Sequence, residues 1–393
     1  MIYLDNAATT ALRREALEAM LPLLTETFGN PSSAHAAGRR ARAALDEAHE
    51  TMARAMNAEA REVIFTGGGT EAINLAIKGA AWAGKAVGNQ IITSAVEHHA
   101  ALHTVRHLEK FGFEPVILPV DRYGRVDPDQ LAAAITDRTI LVTLMVANNE
   151  VGTIQPIADL VRAIRQHRGI LVHLDAVQSA PYIAIDVRDL DVDLISLGAH
   201  KFEGPKGMGV LWMRHGTTIL PQQQGGTQER HRRAGTENVA GAVGMATAFQ
   251  LCTEERAETN KRLRRQRDRL RDAVLAVPGV ELTGHLRERL PGHLSIIARD
   301  TDGVSVSLAL DLDGICTSTG SACTTGSTEP SHVLTAMGYP EEEARGALRI
   351  SLGRTTTDQE IARAETIIPE TLGRMRAAAA AVTADPLGQE VIV

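Results

Sequence analysis

Val172-His173-Leu174-Asp175-Ala176-Val177-Gln178 and, fifteen residues later, Asp193-Leu194-Ile195-Ser196-Leu197-Gly198-Ala199-His200-Lys201 are short apolar runs that each end on a chemically able side chain. Runs of this length read as buried strands. An acid at the end of one and a lysine just past the next put both at the carboxyl edge of a parallel sheet, where open α/β sheets bind ligands. Alone, Asp175 reads as a helix cap and Lys201 as a surface lysine; together they form a pair.

Outward from that pair, residues 62–66, 90–94, 114–120 and 139–146 repeat the pattern of a β-branched or aliphatic run followed by a turn. Helical patterns lie between them, at 38–56, at 70–82 after a glycine-rich turn, and at 157–166 after Pro156. The alternation predicts an α/β fold with a mostly parallel sheet flanked by helices. Residues 254–277 form a charged helical pattern with Leu263, Leu270, Val274 and Val277 near one face and six arginines around the rest. A solvated helix bridging two domains is the plainer reading, and docking of an acidic partner or RNA the sharper one. Past Pro278-Gly279, new apolar runs at 294–298 and 304–310 predict a smaller α/β C-terminal domain, with the boundary near 250–260. The expected division is 1–14 as an N-terminal segment packing with the small domain, 15–255 as the large domain and 256–393 as the small one. Residues 377–384 read as a terminal helix.

The chain has 393 residues, 44% of them hydrophobic, and a formal net charge of −7, which argues against a general polyanion-binding role. Three cysteines, Cys252, Cys316 and Cys323, lack metal-ligand spacing, so no resident metal and no disulfide framework are expected. The N-terminus has no signal-peptide pattern and no apolar run nears the ~20 residues that span a bilayer. A cytoplasmic protein with no membrane contact is the expectation, and nucleic acid is not expected as a stable partner.

A lysine that forms an imine with an aldehyde and a carboxylate that keeps a ring nitrogen protonated are what pyridoxal chemistry requires, and Lys201 and Asp175 are the natural pair. Thr66-Gly67-Gly68-Gly69-Thr70-Glu71 follows one strand and opens a helix, which aims free N–H groups at an anion such as a phosphate. No Gly-Lys-Ser/Thr follows, so it is not a Walker loop. Glu97-His98-His99 sits past another strand end, where an imidazole can cover a flat cofactor and exchange protons. Cys323 lies in the small polar stretch 318–327, unlike a core cysteine, and reads as a nucleophile; Cys252 and Cys316 fit buried packing better. Arg349 and Arg354 bracket Ile350-Ser351-Leu352-Gly353. Either one can grip a carboxylate, and Arg354, after Gly353, is the better placed.

These segments, in order, resemble the NifS/IscS-type cysteine desulfurases, in the class V aminotransferase family and fold type I of pyridoxal-phosphate enzymes. Tyr3 to Thr10, Phe28 to Ser33, Phe65 to Lys78, Glu97-His98, Asn148 to Gly152, Asp175 to Gln178, His200-Lys201, Arg233 to Thr236, Gly320 to Ser327 and Ser351 to Arg354 carry the likeness. The resemblance implies that Lys201 holds pyridoxal 5'-phosphate, that Asp175 pairs with the ring nitrogen and Gln178 with the phenolic oxygen, and that His98 stacks on the ring. It implies Asn149 at ring and substrate, with Gly69, Thr70, His200 and Thr236 at the phosphate, Thr236 reaching in from the second subunit of a homodimer. Arg354, with Asn30 and Asn149, would hold the carboxylate of L-cysteine, and Cys323 would take its sulfur as a persulfide, releasing alanine. An iron–sulfur scaffold protein is the implied sulfur acceptor. The stretch after Gly320 resembles the long form of the NifS/IscS group and not the shorter SufS form. One departure stands out: Gly198 occupies the place where the family often has a serine, so a hydroxyl contact to phosphate is missing, and the backbone N–H groups of Gly198 and Ala199 remain to serve.

A selenocysteine lyase or an aminotransferase on the same fold is the neighbouring reading, and Cys323 discriminates, because a transaminase needs no thiol there. A non-catalytic sulfur-relay protein is a more distant one. The joint presence of Lys201, Asp175, His98, Arg354 and Cys323 argues against it.

Overall fold

The computed structural model describes residues 1–319 and 330–384, so Cys323 lies outside the described residues. In chain order the strands are β1 (Ile2–Tyr3), β2 (Val63–Thr66), β3 (Gln90–Ser94), β4 (Glu114–Leu118), β5 (Thr139–Met145), β6 (Leu171–Asp175), β7 (Leu194–Gly198), β8 (Gly209–Met213), β9 (Val280–Leu282), β10 (His293–Ala298), β11 (Ile315–Cys316) and β12 (Ala347–Ser351). Seven form one sheet in the order β2-β8-β7-β6-β5-β3-β4. Neighbours from β4 through β7 are parallel, while β8 is antiparallel to both β7 and β2.

The sheet is covered on both faces, which is why its strands read as near-continuous apolar runs. Side chains alternate between two cores with the period of two that a pleat imposes. Phe65, Val142 and Ile195 enter one core, and Ile64, Leu141 and Leu194 the other. Helix Gly69–Gly84 packs Ile73, Ile77 and Ala80 on the second face. Helix Ala36–Ala55 packs Leu45, Ala48 and Met52 on the first. β8 was not anticipated. Its Gly-Val-Leu-Trp-Met run follows the Gly204 to Gly207 turn directly and folds back as a hairpin-like return beside β7.

A further core is built on the antiparallel sheet β12-β10-β9, where Leu294, Ile296, Leu348 and Ile350 meet Ile361 and Ile368 of helix Asp358–Ala384. Ile2 and Leu4 join it, with β1 parallel to β11. One 37-residue helix, Val239–Leu275, runs between the two regions. At 1.5 Å per residue it is ~55 Å long, enough to cross both. Met245 and Phe249 belong to the first core and Leu263, Leu270 and Val274 to the last, so the expected boundary near 250–260 falls inside a continuous helix. Its start, 15 residues before the expected 254, was hidden because 239–249 is Ala/Gly-rich and apolar all round, with no amphipathic pattern. Most of its arginines are engaged internally: Arg265 with Asp358, Arg269 with Glu365, Arg271 with Asp268, and Arg262 with the carbonyls of Arg354 and Thr356. That is the bridging reading. No helix among the described residues is long and apolar enough to cross a membrane.

Candidate active site

The carboxyl ends of β5, β6 and β7, the start of helix Gly69–Gly84 and the segment Ala7-Ala8 enclose a cleft of about 540 Å³. Gly69, Thr70, His98, Asn149, Asp175, Gln178, His200 and Lys201 all line it. These residues span 133 positions of sequence, and the parallel sheet gathers them because every crossover returns its next strand end to the same edge.

Asp175 is the last residue of β6 and only 5% exposed. One oxygen accepts from the Val177 N–H at 2.9 Å. Burial pushes its carboxyl up to about 6, against the pull of that N–H and of Lys201. Such a group gains from a buried cationic partner. Lys201 closes a short 3₁₀ turn, Ala199–Lys201, after β7, and its Nζ donates to the carbonyls of Ala7 at 2.5 Å and Ala8 at 3.0 Å. His98 caps helix His99–Leu108 through Nδ1, which accepts from the Ala100 N–H at 3.0 Å. Burial first, then Lys201 and neighbouring histidines, lowers the His98 ring to about 4, so it is neutral with its proton on Nε2. His200, lowered to about 4 chiefly by burial, meets Thr9 Oγ1 at 3.2 Å.

The residues present fit pyridoxal phosphate. Helix Gly69–Gly84 starts at Gly68 (φ 146°) with no side-chain cap, so its first N–H groups stay open toward the cleft. A Cβ on Gly69 would meet Val177 Cγ2 at 2.7 Å, so that close approach needs glycine. Gln178 has a buried Oε1 without a partner, the kind of orphan a bound group explains. At Gly198 an added Cβ would lie 3.1 Å from Val177 Cγ1, tight enough that Val177 would have to shift. The bare backbone there lies against Gly69, whose N is 3.6 Å from the same point.

Three expected residues stand elsewhere. Arg354 does not line the cleft. It borders a smaller recess behind Lys201, where its Nε donates to Glu203 Oε2 at 2.6 Å. Arg349, which sequence spacing ranked second, does line the cleft. It lies inside β12, where alternation turns 349 toward the cleft, whereas 354 is beyond the strand end. Arg349 is held by Asp5 Oδ1 at 2.9 Å and the Asn149 carbonyl at 3.0 Å. Asn30 is not on the cleft either: its Oδ1 accepts from the Ser32 N–H in a local turn. Thr236 borders a separate recess with Gly67 and Gly207, beyond the phosphate-side turn.

Glu97 was read only as part of its motif. It is 1% exposed, with Oε1 accepting from Ser94 at 2.6 Å and from the Met145 N–H at 3.0 Å and Oε2 unpartnered. Burial, reinforced by Asp175, raises it to about 8. Of the other thiols, Cys252 is pushed up to about 11 by burial. Both Cys252 and Cys316 are half-buried, not fully buried as expected, and Cys316 is also raised, by burial and by Asp311. Neither thiol is set up as a thiolate.

A lysine and a buried acid at a parallel sheet's carboxyl edge, beside an uncapped helix start, define a pyridoxal-phosphate enzyme of the aminotransferase kind. The aminotransferase class-V model matches residues 2–364. A protein named cysteine desulfurase IscS from Methanosarcina thermophila is 49% identical over 95% of this chain and 93% of its own length. Another of that name from Dictyoglomus turgidum is 49% identical over 92% and 91%. Among solved structures, a NifS-like protein superposes with a TM-score of 0.90 at 37% identity, covering 95% of this chain and 99% of that one. A structure of SspA in complex with cysteine gives 0.79 at 33%, covering 91% and 100%. The chain belongs to the aminotransferase class-V family and, within it, to the cysteine desulfurases.

Proposed function

We propose that the chain takes sulfur from free L-cysteine, releases L-alanine and holds the sulfur as a persulfide on Cys323 for an acceptor. The observation that carries the reading is the single cleft at which Asp175, Lys201, His98 and the open helix start meet. Lys201 and Asp175 would hold pyridoxal phosphate at its aldehyde and ring nitrogen, and Gly69, Thr70 and His200 would hold its phosphate. Bound there, that group supplies an acceptor for the electron pairs freed when substrate Cα–H and Cβ–S bonds break.

Lys201 Nζ takes the Cα proton; once the Cβ–S bond has broken, one proton is delivered to Cβ and one back to Cα as alanine forms, the additional proton coming from solvent. His98, neutral near pH 7 with its Nδ1 taken by the Ala100 N–H, offers Nε2–H as a donor, and the substrate thiol gives up its proton to solvent. Cys323 Sγ, as thiolate, attacks the substrate sulfur, so that an S–S bond forms as the Cβ–S bond breaks. Arg349 takes the carboxylate role expected of Arg354, because it borders the cleft while Arg354 is engaged by Glu203. Asn149, whose carbonyl Arg349 holds, would flank that carboxylate.

A homodimer in the cytoplasm, with Thr236 crossing to the other subunit's cleft, and an iron–sulfur scaffold as acceptor complete the reading. The test is incubation with L-cysteine and a thiol reductant. Sulfide and equimolar alanine from the wild type, both lost in a Cys323→Ser protein that keeps its yellow absorbance, are expected. A yellow wild-type protein making neither product would overturn the reading.

A further inference from the structure

Behind Lys201, on the side away from the cleft, four ionised side chains from four parts of the chain meet. Arg354 Nε donates to Glu203 Oε2 at 2.6 Å and lies 3.8 Å from Glu255 Oε2. Glu255, on helix Val239–Leu275, accepts on Oε1 from Arg13 Nη2 at 2.6 Å. Arg13 is 4% exposed and Glu203 9%. Arg354 and Glu255 are half-buried, so solvent screens the pairs in part, and removing one partner leaves the buried Glu203 or Arg13 uncompensated.

Glu203 stands two residues beyond Lys201 with φ 62°, in the left-handed region. A side chain there costs ~1–2 kcal/mol that glycine would avoid. If the turn alone mattered, glycine would make it more cheaply; what glycine lacks is the carboxylate. The backbone of the same residue is tied to the N-terminal segment, with its N–H on Thr10 Oγ1 at 2.9 Å and its carbonyl accepting from Arg13 N at 2.9 Å. That segment supplies the Ala7 and Ala8 carbonyls that Lys201 Nζ reaches, and it is pinned to the end of β12 through Asn6 Nδ2 to the Ser351 carbonyl at 2.9 Å. Arg349, on the cleft, and Arg354, on the recess, therefore leave the same strand end on opposite sides of Lys201.

We propose that Glu203, through its ion pair with Arg354, is a positioning residue that fixes the Lys201 turn against the end of β12, and so sets Lys201 relative to the substrate held from Arg349. The inference rests on the desulfurase reading for its substrate, and it assigns Arg354 to alignment instead of substrate binding. A misplacement of about 1 Å at a reacting group can cost ~10²-fold in rate.

Three proteins test it: Glu203→Gly, Arg354→Gln and the charge swap Glu203→Arg with Arg354→Glu. For each, kcat and KM for L-cysteine are measured by alanine release, together with the pH midpoint of the visible cofactor absorbance and the Tm. Glu203→Gly keeps both backbone hydrogen bonds, and the left-handed strain it relieves partly offsets the ion pair it removes, so its Tm should fall only modestly while kcat falls ~10- to 100-fold with KM within about twofold. The absorbance midpoint should shift in both single variants, and the swap should recover at least part of kcat. The proposal is overturned if Glu203→Gly leaves kcat and the midpoint at wild-type values, or if Arg354→Gln raises KM for L-cysteine about tenfold or more with kcat unchanged, as loss of a carboxylate-binding cation would. If the wild type makes no alanine, the desulfurase reading fails separately, and the absorbance midpoints of the same proteins still decide whether the pair positions Lys201.

Discussion

Lys201 has two charged neighbourhoods, and they are built on opposite logic. In the recess behind it, Arg354, Glu203, Glu255 and Arg13 pair with one another, with Arg13 Nη1 the one buried polar atom of the four left unpartnered among the described residues. In the cleft before it, Asp175 keeps a raised carboxyl with a single N–H donor, Gln178 has an orphaned oxygen, and a helix start lacks its cap. Charges that answer each other hold a scaffold. Polar groups left unanswered in a buried cleft are an unfavourable arrangement for the empty protein and a ready one for a ligand. The difference separates two arginines five positions apart on one strand and its exit.

The sharpest break of the comparison is at Lys201 itself. Lys201→Ala should lower alanine formation by at least ~10²–10⁴-fold, the usual worth of a proton-transferring group. Its melting temperature without cofactor should change little, because Nζ lies at the cleft rim, where it donates to the Ala7 and Ala8 carbonyls. A variant that keeps even a tenth of the activity would place the proton-transferring group elsewhere.

Next in size is Arg349→Ala. Hydrogen bonds to a charged group are worth ~1.5–3 kcal/mol, so KM for L-cysteine should rise by roughly 10- to 150-fold. The spectrum of bound cofactor should remain, since Arg349 is held by Asp5 and the Asn149 carbonyl. An unchanged KM would return the carboxylate to another cation and dissolve the contrast between cleft and recess.

Most of the sheet was legible because parallel strands covered on both faces leave uninterrupted apolar runs: β3 matches the sequence reading residue for residue, and β6 ends on Asp175 as read. The site was legible where residues fall at strand ends. It was not where function depends on the direction a side chain takes after a strand ends. Arg349 and Arg354 are equivalent by type and spacing, and only the register of β12 against β10, with Arg349 opposite Ser295, tells them apart. Glu203 gave no signal at all, because a left-handed residue is expected to be glycine and its partners come from sequence positions 10, 13 and 354. Glu97 was visible only as part of a motif, since its depth comes from packing between β3 and β5.

Glu97 tests the cleft side through pH. The fold raises its pKa from 4.5 to about 8 by burial, so the folded state binds a proton that the unfolded chain gives up. A raised carboxyl contributes stability that is complete below about 4.5 and is lost as pH rises through about 8. Asp175, raised to about 6, has the same sign without cofactor. Glu97→Gln keeps an acceptor for Ser94 and Met145 but never ionises. Melted without cofactor, it should gain on the wild type steadily from pH 5 to pH 8 and then hold a constant margin. Parallel melting curves across that range would mean that Glu97 is ionised, with a donor at its unpartnered oxygen.

The smallest effect separates idle strain from strain that is put to use. Glu229, Arg230 and His231 are three consecutive left-handed residues (φ 43°, 55° and 64°), as Glu203 is one. Glu229 is buried, and its Oε2 binds His49 Nε2 and the Phe65 N–H, both at 3.1 Å. His231 is exposed, and its ring makes no hydrogen bond among the described residues. Glycine at 231 would shed ~1–2 kcal/mol of left-handed strain and lose ~0.5–1 kcal/mol to backbone entropy. His231→Gly should therefore stabilise the protein by about 0.5 kcal/mol in denaturant titration, with kcat and KM unchanged. Glu203→Gly relieves the same strain and should cost turnover. If both glycine variants behave alike, the carboxylate at 203 is as idle as the imidazole at 231, and the recess is scaffold alone.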